Sequence, residues 1–318
     1  MRFLLFLLLP VVFVCLNVQS VLSFDDIKVV ASGVDMGLGY RSDQLDWAIS
    51  ADSDSGTLSE LRWDDLDIFQ VQASGWLEVE KIPYLEKTFL VVANVAFGKI
   101  FGGTARDSDF DRNSPGGEWS RSVSDADDGL TVDISGAVGP IFELKDLTAG
   151  LFVTPLIGYG FNMQALTMTN GRQVVSGLSA HSLGPFSGLD STYTAYWHGP
   201  WVGTDVDYLI RPKMKVSIGV EYHWVDYFAQ ADWNLRTDFE HPVSFEHEAS
   251  GSGVVWRLEG AYQLDEKWSL LLNGNIQNWH TDSGTDRTYF QDGYVGRSRL
   301  NQVNWDSYAL TTGVEYLF

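Results

Sequence analysis

The stretch Tyr308-Ala309-Leu310-Thr311-Thr312-Gly313-Val314-Glu315-Tyr316-Leu317-Phe318 decides the fold. Tyr308, Leu310, Thr312, Val314, Tyr316 and Phe318 fall on one face, and Ala309, Thr311, Gly313, Glu315 and Leu317 on the other. A period of two belongs to a β-strand, whose successive side chains point to opposite faces. The segment 213–235 repeats the pattern: Met214, Val216, Ile218, Val220, Tyr222 and Trp224 alternate with Lys215, Ser217, Gly219, Glu221 and His223. The first set can face lipid. The second would be costly there and must face a lumen.

Ten stretches read as strands: about 28–41, 58–80, 86–103, 129–144, 147–169, 192–210, 213–235, 247–264, 267–282 and 301–318. Short connections fall at Lys145-Asp146, Arg211-Pro212 and Asp265-Glu266, with a longer one at 81–85. Long polar ones lie near 42–57, 104–128, 170–191, 236–246 and 283–300. Turns on one side and loops on the other predict an all-β fold, a ten-stranded antiparallel transmembrane β-barrel in a bacterial outer membrane, with extracellular loops. A last strand ending on an aromatic residue, here Phe318, is what such barrels present to their assembly machinery. Several strands exceed the 9–11 residues a bilayer needs, so the excess, up to roughly ten residues, projects above the membrane on the loop side. In 58–80, Phe69, Val71 and Ala73 are followed by Trp76-Leu77, a phase break that predicts a bulge. Ten strands enclose too little lumen for a wide pore. A closed barrel has no edge that demands a partner, so a monomer is expected.

Composition agrees. One barrel uses all 318 residues, and 21 Lys+Arg against 42 Asp+Glu give a net charge of −21. That balance excludes a nucleic-acid partner, which needs a basic face. A hydrophobic content of 45% with 12 Trp, 13 Tyr and 18 Phe excludes a disordered acidic chain and suits aromatic girdles at two membrane interfaces. Met1-Arg2, an apolar run from Phe3 to Leu16 and the small Ser23 read as a signal peptide over 1–23, leaving a barrel over 24–318. The run is shorter than the roughly 20 residues of a spanning helix. The single cysteine, Cys15, leaves with it, and Phe13-Val14 before it lacks the small residue of a lipoprotein site. The mature chain is then without thiol, disulfide or zinc-thiolate site.

Two carboxylate clusters stand at the expected extracellular rim. In Ala105-Arg106-Asp107-Ser108-Asp109-Phe110, extended backbone would point Asp107 and Asp109 the same way, roughly 7 Å apart. Like charges so placed raise one pKa and can hold and polarise a water. Such a pair also serves as a soluble acidic surface or a calcium ligand. The second cluster is Gln230-Ala231-Asp232-Trp233-Asn234.

At these residues the chain resembles the omptins, ten-stranded outer-membrane endopeptidases of Gram-negative bacteria. The resemblance covers nearly the whole mature chain in strand order and loop placement. It is most specific in Arg106-Asp107-Ser108-Asp109-Phe110 with Pro115-Gly116-Gly117-Glu118-Trp119-Ser120, in Gly158-Tyr159, and in 220–234, which sets Asp232 and Asn234 where omptins have Asp and His. The resemblance implies that Asp107 and Asp109 hold the attacking water and that Asp232 orients the base. The base position holds Asn234, and an amide cannot take a proton. His241 is the candidate substitute base; a proton shared by Asp107 and Asp109 is another route. His223 reads as a packed lumen residue. Glu240-His241 and Glu246-His247 offer little toward a zinc site, and no cofactor or metal is expected. The resemblance also implies lipopolysaccharide bound on the outer wall, where Lys99 and Arg172 stand near the right edge. An acidic rim suits basic peptides or proteins as ligands. Two functions follow: an omptin-like endopeptidase of altered chemistry, or a non-catalytic barrel that acts as adhesin, ligand-binding or structural surface protein.

Overall fold

The computed structural model describes residues 28–51, 56–80, 87–111, 117–177 and 182–318. The expected signal peptide at 1–23 with Cys15, the 81–85 turn, Pro115-Gly116 and His181 lie outside them.

Among the described residues thirteen strands follow one another: β1 (Lys28–Ser50), β2 (Thr57–Glu80), β3 (Phe89–Phe110), β4 (Glu118–Pro140), β5 (Phe142–Glu143), β6 (Leu151–Ser176), β7 (Gly184–Pro185), β8 (Asp190–Arg211), β9 (Met214–Asp232), β10 (Phe245–Gln263), β11 (Trp268–Thr281), β12 (Gly284–Tyr289) and β13 (Val295–Leu317). Ten staves close into a ring, because the path from β1 through β4, β6, β8 to β11 and β13 ends with β13 pairing back on β1. Every ladder is antiparallel, as hairpin connections require. β12 extends the β11 stave upward, pairing with β10 and β13 beyond Thr281. β5 and β7 are short additions to β6.

The bilayer belt is read from what is exposed. On β9, Met214, Ile218, Tyr222 and Trp224 face outward, while Gly219, Glu221 and His223 are buried. Tyr40, Phe69, Phe101, Tyr159, Trp224, Trp256 and Tyr308 mark the upper edge; Tyr208, Tyr262, Trp268 and Phe318 mark the lower. Met214 to Trp224 is roughly 33 Å of strand, about 25 Å of height at a 40° tilt, which is the thickness of an outer-membrane apolar band.

Above the belt the strands continue, and the described residues of the expected loops 42–57, 104–128, 170–191 and 283–300 are largely β-ladder. The reason is an exchange of solvent. Outward positions become polar and inward ones apolar, so the alternation persists with its chemistry reversed. On β9, Val225, Tyr227, Ala229 and Ala231 are buried while Asp226 is exposed. The inward set builds a core of Leu45, Trp47, Leu61, Trp63, Trp197 and Trp305 with their neighbours. Trp279 stacks on Trp305 at 5.2 Å and Trp197 meets Tyr227 at 4.5 Å. This core fills the upper lumen.

Two local expectations are corrected. The Trp76-Leu77 phase break is not itself a bulge: β2 keeps register with both neighbours from Ile68 to Leu77, and register shifts fall to either side, at 64–67 and where Val29 and Ala31 of β1 face Val79 and Glu78. Trp76 simply turns inward, where its indole N–H donates to Glu315. Lys145-Asp146 is not a two-residue hairpin either. Pro140, which cannot donate to the ladder, ends β4, and the connection runs to Leu151 through β5.

Candidate functional site

Asp107 and Asp109 lie in β3, not in a loop. Asp107 pairs with Leu61 across the ladder, and Leu61 and Ala105 belong to the inner core, so both carboxylates stand on the inward alternation at the barrel mouth. Burial and the neighbouring Asp109 push the Asp107 carboxyl up to about 7. Arg236 and the side-chain hydrogen bond from Trp233 act in the opposite direction. Both come from the connection after β9, so it is this segment that meets Asp107. The Arg236 guanidinium also binds Asp238 at 2.9 Å and stacks 3.8 Å over the Phe239 ring.

The family resemblance sets Asp232 opposite the Asp107–Asp109 pair. Here Asp232 is one step out of phase with that role. Ala231 is buried in the core and Trp233 packs on Phe245, with centroids 4.7 Å apart, so these two point inward. Asp232 between them falls on the outward alternation with Gln230, which donates to Glu246 on the same face. There Asp232 meets His241: Nδ1 and Oδ1 are 2.5 Å apart. His241, the candidate substitute base, lies nine positions past Asp232 in sequence, and the connection 233–244 folds back and brings it there. Ser244 fixes that return, its Oγ accepting from the Trp233 amide and donating to the Glu240 carbonyl.

Asn234 is fully employed elsewhere. Its Oδ1 accepts from the Asp190 amide and the Ser191 hydroxyl, each at 2.9 Å, and its Nδ2 donates to the Gly188 carbonyl. It ties the β8 approach to the end of β9.

Sequence reading missed two groups. Trp233 and Arg236 carry no signal of their own, since their role depends on how the connection folds. His247 sits in β10, inside the strand expected over 247–264, with no exposure. Its Nδ1 is 2.9 Å from the Tyr193 hydroxyl, which bonds Tyr227 at 2.5 Å, and its Nε2 is 3.3 Å from Asp286. Burial raises the pKa of both tyrosines, so neither hydroxyl becomes a phenolate nucleophile. The chain orders the core. His223 is a packed lumen residue, as read from the sequence, bonded to Glu221 at 2.8 Å.

On the outer wall Lys99 is paired with Asp128. Higher up, Arg62, Arg106 and Arg172 share one ladder row across β2, β3 and β6, with Val123 of β4 between the last two. Among the described residues, no group of three or more His, Cys, Asp or Glu is arranged to hold a metal ion.

The family model described as Protochlamydia outer membrane protein (Pom) matches residues 35–318. No curated protein sequence matches. Among solved structures, the outer membrane protease OmpT from Escherichia coli is similar at a TM-score of 0.73 and 12% identity, covering 92% of this chain and 98% of its own. That likeness concerns the fold, the ten-stranded omptin barrel. The translocator domain of the autotransporter NalP from Neisseria meningitidis (TM-score 0.33, 12% identity, 95% and 92% coverage) and Ail of Yersinia pestis (TM-score 0.26, 9% identity, 90% and 99%) are further outer-membrane barrels that match less closely.

Proposed function

We propose that this chain, which belongs to the Protochlamydia outer membrane protein family, is a non-catalytic surface receptor whose acidic mouth binds basic peptide segments. The protein is an integral outer-membrane barrel. The observation that carries the reading is the register at the top of β9. Trp233 bonds Asp107 and Arg236 lends it only a nearby positive charge, while Asp232 falls on the outward alternation and Asn234 is spent on the β8 approach. A water held by Asp107 and Asp109 would have no proton acceptor facing it from β9. A mouth where Asp107 and Asp109 stand side by side, with the nearby Arg236 guanidinium itself paired to Asp238, suits a ligand arginine or lysine. Net charge adds long-range steering of cationic segments. Lipopolysaccharide is the proposed lipid partner, its phosphates facing the Arg62, Arg106 and Arg172 row.

One observation favours a second reading. Asp232–His241 at 2.5 Å is an Asp–His pair of the kind that activates water, and it supports an endopeptidase that works on the outer side of the rim. The refolded barrel, with and without lipopolysaccharide, separates the two. A fluorogenic peptide with two adjacent basic residues is expected to bind, to stay uncleaved, and to lose binding in Asp107→Asn. Cleavage abolished by His241→Ala would replace the receptor reading with the protease.

A further inference from the structure

On the outer wall, well above the belt and apart from the mouth, β12 and β13 carry three arginines on one face. Arg287 of β12 stands directly opposite Arg297 of β13, and Arg299 follows two positions on, opposite Thr285. The alternation fixes their direction. Leu300 belongs to the core, and Asp286, 3% exposed, accepts from the Ser298 hydroxyl, so Ser298 and Leu300 point inward. Arg297 and Arg299 alternate with them and point outward, and Arg287, beside Asp286, does the same.

Like charges directly opposite on a ladder repel, with Cβ atoms about 5 Å apart. Glu248 of β10 relieves Arg287, accepting from it at 2.7 Å. The neighbouring Glu246 is taken by Gln230 and Tyr289. β12 stands between these two carboxylates and β13. Arg297 and Arg299 have no partner among the described residues. Their planar donor forks match the paired oxygens of a phosphate or sulfate group, and an anion between them removes the repulsion across the ladder.

Height says where such a group comes from. Arg299 and Arg297 stand 9 and 11 positions above Tyr308, the belt residue of the same strand. At 3.3 Å per residue and a 40° tilt that is roughly 23–28 Å above the apolar band. Lipid headgroups extend only about 5–8 Å beyond the band, which leaves a gap of about two Debye lengths. Arg106, 5 positions above Phe101, is about half as high. Size follows from the surroundings. A chain of net charge −21 repels a long polyanion, and Glu246 and Glu248 bound the patch on the β10 side.

We propose that the β12–β13 wall binds a compact phosphate or sulfate monoester from the extracellular medium, held by Arg287, Arg297 and Arg299.

The test is calorimetric titration of the refolded full-length barrel with glucose 6-phosphate and glucose 6-sulfate, beside glucose and NaCl at matched ionic strength. The esters are expected to bind, and glucose and NaCl to give no response. Arg297→Gln and Arg299→Gln should each weaken ester binding about tenfold, the loss of one charge-assisted contact. Arg121→Gln removes a rim arginine of β4 that is paired with Glu118, and should change it less than about twofold. Absence of ester binding overturns the proposal, as does undiminished binding in Arg297→Gln. Equal losses in all three variants overturn it too, because they mark diffuse charge. Should Arg297→Gln not reach the heat-modifiable folded form, Arg299→Gln decides by the same criterion. Titration in nanodiscs containing lipopolysaccharide tests the source. Ester binding retained there supports the extracellular ligand, and binding abolished there assigns the site to lipid phosphate and overturns it.

Discussion

One strand passes through two molecules' worth of chemistry. Below Trp224, β9 shows apolar side chains to the outside and Lys215, Glu221 and His223 to the lumen; above it, Val225, Tyr227 and Ala229 turn inward and Asp226 outward. The backbone ladder does not change at this point. What changes is the medium outside the wall. In the lower zone lipid covers the apolar face, so the lumen can be polar and hold a cavity. In the upper zone water bathes the wall, and the staves must supply their own core. Strand geometry is thus common to both zones, and solvent alone assigns the two faces.

The largest expected effect breaks the upper zone as a packed core. Trp197 has no exposure and meets Tyr227, Trp279 and Trp305 with centroids 4.5–6.1 Å away. Trp197→Ala should cost about 3–5 kcal/mol, the range for emptying a large aromatic site. Denaturant unfolding in detergent measures it. A loss below about 1 kcal/mol would mean that the upper staves do not depend on this core.

A pair on one face of β9 then locates the zone boundary. Ile218 is exposed to lipid, and Gln230 stands on the same alternation above the belt. Ile218→Lys should cost about 2–4 kcal/mol near the bilayer midplane, whereas Gln230→Lys should stay within about 0.5 kcal/mol apart from its bond to Glu246. Equal costs would erase the distinction between zones.

The same inversion explains what was legible in sequence. The lower zone was, because Met214 to Trp224 and Tyr308 to Phe318 keep apolar residues on one fixed alternation. The ring of ten staves and the closing terminal strand followed from that. The upper staves were not, because their polar outward residues read as loop once apolar-out is assumed. Asp107 and Asp109 were found by spacing, and they share one face of β3; that this face is the inward one is a finding of the structure. The partners that matter came from folding of the connection 233–244: His241 lies nine positions from Asp232 and reaches it only because the chain reverses at Ser244. The inward turn of Trp233 follows from a strict alternation that ends at a core alanine, a signal available only once the upper zone is recognised as strand.

Asp107 sharpens the comparison through pH, because it is a carboxylate facing the inside of the upper zone. Its folded pKa is raised from 3.8 to about 7, so the folded state holds a proton that the unfolded chain has released. Stability should therefore fall as pH rises from about 4 to about 7 and level off above, with a slope from this group of at most about 1.4 kcal/mol per pH unit. Asp107→Asn should flatten that segment. If unfolding midpoints of the two proteins run parallel through this window, Asp107 is hydrated and the mouth is open water. Basic-peptide binding carries the opposite sign, strengthening as Asp107 ionises.

The smallest effect tests where the outer wall meets water. Lys99 and Asp128 are paired between the belt residues Phe101 and Leu130, and both side chains are more than 60% exposed. A pair bathed in solvent or headgroups contributes little, because screening and side-chain entropy offset its attraction. Lys99→Gln should thus change stability by no more than about 0.5 kcal/mol, and raising salt should shrink even that. The same substitution would leave Asp128 as a lone charge in hydrocarbon if lipid reached this row, and the loss would then be several times larger and indifferent to salt. The salt dependence therefore carries the decision: a small, screened effect places the aqueous edge at or below Lys99, and a large, unscreened one raises the membrane by a full turn of the aromatic belt.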